Sequence, residues 1–135
     1  MKTRILPAEV GRLDEVNALI DSELMPYGCS TKTQMEIALA VEEIFVNISN
    51  YAYPLQDGQA EIAVDIGGEP PVLTVRFVDW GKPFNPLAKP DADITLPAEE
   101  RGIGGLGIFL VKKLMDDVSY TYEGGKNVLT IQKTL

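Results

Sequence analysis

The chain has 135 residues, 45% hydrophobic and 24% charged, a composition that fits one globular domain over residues 1–135 and argues against disorder. Twelve Lys and Arg against twenty Asp and Glu leave a formal net charge of -8, the wrong sign for a nucleic-acid partner, which needs clustered cations. No histidine is present and Cys29 is the one cysteine. This excludes Ser-His-Asp and Cys-His catalysis, the common zinc sites, a phosphohistidine carrier and an intrachain disulfide.

At the N-terminus, Met1-Lys-Thr-Arg is basic, but Pro7 stops Ile5-Leu6 before an export signal can form. No apolar run approaches the roughly 18–20 residues of a membrane span. A cytoplasmic protein with no membrane partner is expected. Lys2–Leu6 suits a short edge strand. From Glu9 to Leu24, Val10, Leu13, Val16, Leu19, Ile20 and Leu24 recur at helical steps, and Pro26 with Gly28 ends the pattern. A second helix should open near Ser30 and run to about Tyr51. Thr31-x-x-Gln34 and Thr33-x-x-Glu36 both fit a capping box, so its register stays open.

The period then changes. Ala60, Ile62, Val64 and Ile66 alternate with polar or small residues, a turn follows at Gly67-Gly68-Glu69-Pro70, and Val72–Val78 completes a hairpin. Pro83, Pro86 and Pro90, with Pro97 just beyond, make Asp79–Leu96 irregular, a length of loop that is usually functional or mobile. Glycines at 102–107 lead into a helix near Ile108–Met115, and Val118–Tyr122 with Asn127–Gln132 form a closing hairpin. The order β-α-α-β-β-α-β-β predicts an α+β fold, a two-layer α/β sandwich with helices on one face of a mixed, mostly antiparallel sheet.

Three segments carry possible chemistry. On the second helix, Glu43 and Asn47 lie four apart and share a face. An amide oxygen can ligate a cation there while the carboxylate orients or deprotonates a hydroxyl; a solvated polar stripe gives the same pattern. Asp79-Trp-Gly81 puts a carboxylate at a strand end, suited to accept from an exocyclic amine on a flat ring that Gly81 lets approach; a plain turn reads identically. Arg101-Gly-Ile-Gly-Gly-Leu-Gly107 precedes a helix, where exposed N–H groups favour an anion; a flexible loop without ligand is the competing reading. Gly102-x-Gly104-x-x-Gly107 matches the dinucleotide fingerprint by letter, but no buried strand precedes it, and no Gly-Lys-Ser/Thr phosphate loop exists.

In this order, Glu43-x-x-x-Asn47, Asp79-x-Gly81 and the glycines at 102–107 resemble three successive boxes of the Bergerat-fold ATPases, the superfamily of DNA gyrase, MutL and the histidine kinases. Ala40-Val-Glu-Glu-Ile-Phe-Val-Asn, Asp79-Trp-Gly-Lys-Pro-Phe-Asn-Pro and Gly104-Gly-Leu-Gly-Ile resemble the small bacterial anti-sigma-factor serine/threonine kinases, over nearly the whole chain. The resemblance implies ATP and Mg²⁺, with Glu43 the catalytic base and Asn47 the metal ligand. Asp79 would accept the adenine amine, with Gly81 making room for the ring. Arg101 and the amides of Gly102, Gly104, Gly105 and Gly107 would hold the phosphates under a lid from Lys82 to Gly105. Thr130 would support Asp79 or a water beside it. Many relatives carry His where this chain has Tyr51, and Pro83 replaces a glycine of the adenine box.

A histidine kinase needs a phosphoacceptor histidine and a dimerisation helix pair, and gyrase and MutL relatives need a transducer domain. The resemblance therefore points to a regulatory kinase that phosphorylates a small anti-sigma antagonist and otherwise sequesters a sigma factor; it also allows a homodimer. The alternative is a non-catalytic ATP-binding switch that controls a protein partner. A plain ATP hydrolase is a third reading.

Overall fold

A computed structural model describes residues 1–53, 57–88 and 105–135. Its elements, in chain order, are β1 (Lys2–Pro7), α1 (Leu13–Leu24), α2 (Thr31–Tyr51), β2 (Gln59–Gly67), β3 (Val72–Asp79), α3 (Gly105–Leu114), β4 (Asp117–Glu123) and β5 (Lys126–Thr134). The alternating pattern of the strands and the three- and four-residue steps of the helices put one apolar face of each into a shared core. Val16, Ile20, Leu24, Ile37, Val41 and Phe45 from the helices meet Ile62, Val64, Val75, Phe77 and Ile131 from the sheet. This is the expected α+β arrangement.

The five strands lie in the order β1-β2-β3-β5-β4, and every neighbouring pair is antiparallel. A mixed sheet is therefore corrected to an antiparallel one. The crossover through α3 does leave β3 and β4 running in the same direction. They never pair, because β5 turns back through its hairpin and lies between them, antiparallel to each.

Helix ends are closed by side chains. Ser30 is the N-cap of α2, its hydroxyl oxygen accepting from the Thr33 N–H at 3.2 Å, so neither threonine capping box sets the register. Gly28, with φ 57, supplies the left-handed turn between α1 and α2. At the C-terminal end of α3, Lys133 Nζ donates to the Leu114 carbonyl at 2.8 Å and lies 3.8 Å from Glu36 on α2. One cation from β5 thus answers a terminal carbonyl of one helix and a carboxylate of another. Among the described residues no helix is long and apolar enough to cross a membrane.

The last strand is fastened at Asp116, whose carboxylate accepts from the Thr134 N–H at 2.6 Å. That backbone hydrogen bond holds the Asp116 carboxyl below its usual value. A depressed folded value stabilises the fold above the unfolded value, and the gain is lost as pH falls through the folded one. Asp116→Asn should therefore lower the urea midpoint at neutral pH and converge on the wild type under strongly acidic conditions. A gap that does not change with pH would contradict this role.

Candidate nucleotide site

Two separate pieces of chain meet at the C-terminal end of α2. The Lys82 N–H donates to the Ala52 carbonyl at 3.3 Å. The Trp80 N–H donates to the Tyr53 hydroxyl oxygen at 2.8 Å, and that hydroxyl donates to the Gln59 carbonyl at 2.6 Å. Burial raises the Tyr53 pKa, keeping the hydroxyl a donor at neutral pH. A Cβ on Gly81 would run into the Ala52 carbonyl. Gly81 is thus needed to clear the helix-end backbone.

This joint aims Asp79, the last residue of β3, into the interior, where it is 5% exposed. Its Oδ1 accepts from the Gly81 N–H at 3.0 Å and from Asn127 Nδ2 at 2.9 Å. Among the described residues Oδ2 has no hydrogen-bond partner. A buried carboxylate oxygen left without a donor costs about 1–3 kcal/mol or more, so this atom is poised for a donor on a ligand. Sequence reasoning assigned the bracing of Asp79 to Thr130. For the direct contact the structure corrects this: Thr130 pairs with Arg76, and strand alternation puts it on the sheet face opposite Leu129 and Ile131. Asn127, missed in the sequence, does the bracing. The signal was present, since Asn127 shares the alternation of Leu129 and Ile131 and is a polar residue on a core-facing strand position.

Asp79 and Asn127 sit in a pocket whose floor is apolar: Ile44 and Ile48 of α2, Phe77 of β3, Leu129 of β5, and Ile108 and Val111 of α3. Asn47, Tyr51, Lys82 and Tyr120 add polar atoms to its walls. Apolar walls around a few converging polar groups suit a flat heterocycle that presents an amine to Asp79. Asn47 lines this pocket, half-buried, and Glu43 stands one helical turn before it. Glu43 faces the first turn of α3, where a Cβ on Gly107 would collide with its carboxylate. Gly107 therefore permits close contact between α2 and the N-terminal end of α3, with the positive end of that helix dipole beside the carboxylate.

Gly105 is the first residue of α3, so the end of the glycine run lies within the helix. Arg101, Gly102 and Gly104, and most of the expected lid, fall outside the described residues. Among those described, no cluster of three or more His, Cys, Asp or Glu could hold a metal. That is compatible with Mg²⁺, which commonly takes one or two protein oxygens and completes its shell with phosphates and water. The Asn47 side chain brings an amide oxygen to the wall of this pocket.

A family model described as the histidine kinase-like ATPase domain matches residues 6–133. The chain belongs to this family. A serine-protein kinase RsbW of Listeria monocytogenes is 32% identical over 106 residues, covering 76% of this chain and 67% of the relative. The protein of that name from Listeria innocua is 31% identical over 106 residues. The one from Bacillus cereus is 32% identical over 98 residues, which span 70% of this chain and 60% of that relative. The expected ATPase fold is thereby established.

The joint at Gly81 predicts the outcome of adding one carbon. Gly81→Ala should destabilise the fold by about 1–3 kcal/mol, because the obstacle is backbone that cannot rotate away. Gly11→Ala, where a Cβ meets nothing within 4 Å, should be close to neutral. Equal urea midpoints for the two variants would refute the assigned role of Gly81.

Proposed function

We propose that this protein is a Mg-ATP-dependent serine/threonine protein kinase of the anti-sigma type, acting in the cytoplasm on a small antagonist protein and holding a sigma factor when that antagonist is absent. The observation that carries the nucleotide reading is the buried Asp79 Oδ2, unpaired among the described residues and set in an apolar pocket. The exocyclic amine of adenine is a donor and the corresponding position of guanine an acceptor. Asp79 would therefore favour adenine. Family membership and the RsbW relatives support the same reading.

In this reading the apolar floor takes the ring and Asp79 takes its amine. Asn47 offers its amide oxygen to Mg²⁺, and the N–H groups at the start of α3, from Gly105 to Gly107, face the phosphates, joined by Arg101, Gly102 and Gly104. Bound Mg²⁺ supplies positive charge against the phosphates in a strongly acidic protein. Glu43 accepts the proton of the incoming serine or threonine hydroxyl as its oxygen attacks the γ-phosphorus. The bond from that phosphorus to the bridging oxygen breaks, and ADP leaves. The spacing of Glu43 and Asn47 lets one helix face serve both tasks without requiring both side chains to share one atom.

The test is the intact mass of a co-encoded antagonist after incubation with the protein and Mg-ATP. Wild type should add one phosphoryl group. Glu43→Gln should bind Mg-ATP with affinity close to wild type and transfer about 10²–10⁴-fold more slowly, the usual contribution of a general base. Tight Mg-ATP binding with no transfer by the wild type to any co-encoded antagonist would favour the non-catalytic switch. Wild-type transfer rates in Glu43→Gln would remove Glu43 as the base.

A further inference from the structure

Asn127 is 6% exposed, and all four hydrogen-bonding positions of its side chain are occupied. Nδ2 donates to Asp79 Oδ1 at 2.9 Å and to the Lys82 carbonyl at 2.9 Å. Oδ1 accepts from the Phe84 N–H at 3.1 Å and from the Tyr120 hydroxyl. An amide has two donors and one oxygen with two lone pairs, so nothing is left over. Turned end for end, the amide would set its oxygen against a carboxylate and a carbonyl, and its NH₂ against an N–H. Only one orientation survives.

The sheet register explains how these groups come together. Asp79 and Asn127 are directly paired across β3 and β5, so their side chains leave the same face side by side. Tyr120 pairs with Leu129 on the other flank of β5, which makes it the diagonal neighbour of Asn127. Asn127 therefore ties three things to one amide: the carboxylate of Asp79, the backbone from Lys82 to Phe84, and β4 through Tyr120.

We propose that Asn127 is the positioning residue that sets the purine preference of the pocket. This rests on the adenine-nucleotide reading given above. By holding Oδ1 from one side while the Gly81 N–H holds it from the other, Asn127 fixes the rotation of the carboxylate and leaves Oδ2 as the acceptor offered to a ligand amine. Without that donor the carboxylate can turn, and the difference between an amine and a carbonyl on the ring is read less sharply. Asn127 touches no ligand in this scheme; it acts through Asp79.

The test is calorimetric titration of the full chain with Mg-ATP and with Mg-GTP between pH 5 and 8, for wild type, Asn127→Asp and Tyr120→Phe. Asn127→Asp keeps size and shape but replaces the donor with a second acidic oxygen beside Asp79. At neutral pH it should bind ATP about tenfold to a hundredfold more weakly than wild type, with GTP affinity changed much less. As pH falls, two adjacent carboxylates take up a shared proton more readily than either alone. That proton restores a donor toward Asp79, so ATP affinity should recover in the variant in a way the wild type does not show. Among the described residues, the other titratable groups near the pair are Lys82, present in both proteins, and Tyr53 and Tyr120, whose pKa values burial raises.

An Asn127→Asp protein that binds ATP as wild type does at neutral pH would overturn the proposal. So would equal losses for ATP and GTP with no recovery in acid, the signature of a merely structural residue. If circular dichroism shows that Asn127→Asp does not fold, Tyr120→Phe decides. It removes one donor to the same amide and should weaken ATP severalfold while sparing GTP; no change, or an equal change for both, overturns the proposal. A wild type that binds neither nucleotide fails the adenine reading itself, and is distinguishable because no variant is needed to see it.

Discussion

The close approach of the Ala52 carbonyl to Gly81 is the constraint on which the site depends. α2 carries Glu43 and Asn47, β3 carries Asp79, and the two elements belong to different layers. Packing of Phe45 and Ile48 against the sheet brings them together only to the tolerance of side-chain contact. The hydrogen bonds from Lys82 N–H to Ala52 and from Trp80 N–H to Tyr53 remove that slack. They connect backbone to backbone, or backbone to a tyrosine whose own hydroxyl is tied to Gln59. With no Cβ at Gly81, the turn after β3 can sit directly on the helix end. The distance between the carboxylate that would read a ring and the helix face that would serve phosphates is thereby set by covalent geometry and these two hydrogen bonds.

The same joint accounts for a polar group in an apolar place. Asp79 is buried against Phe77, Ile48 and Leu129, surroundings in which a carboxylate needs compensation. Gly81 and Asn127 supply it at one oxygen only. Among the described residues, the second oxygen is left for a donor from outside the chain. A pocket with an apolar floor and a buried carboxylate satisfied at only one oxygen is more costly for folding alone than a fully paired one, and this kind of local cost is commonly found where a ligand is to bind.

The fold was legible because its elements obey simple periods. Val16, Ile20 and Leu24 at four-residue steps, and Ala60, Ile62 and Val64 at two-residue steps, sort helix from strand without reference to anything distant. Pairing order is not contained in those periods, which is why the sequence could not show that β5 would lie between β3 and β4. Site residues divide in the same way. The spacing of Glu43 and Asn47 is a property of one helix and could be read directly. Gly81 was identified, but the Ala52 carbonyl that it must clear lies 29 positions earlier in the chain and could not be foreseen. Thr130 came from the family resemblance and its place on the last strand, and Asn127 was not considered. Which face of the strand it occupies follows from Leu129 and Ile131 being core, and a polar partner for Asp79 then has to sit at Asn127.

Adenine recognition by a half-satisfied buried carboxylate is the central claim, and one substitution in the ligand tests it without altering the protein. Inosine triphosphate has the ribose and phosphates of ATP and carries a carbonyl where adenine has its amine. Titrated under the same Mg²⁺ concentration and pH, it should bind the wild-type chain at least about tenfold more weakly than ATP, since a donor facing Asp79 Oδ2 becomes an acceptor facing an acceptor. Equal affinity for the two nucleotides would contradict the account, because the pocket would then be holding the phosphates and the ring while Asp79 read nothing.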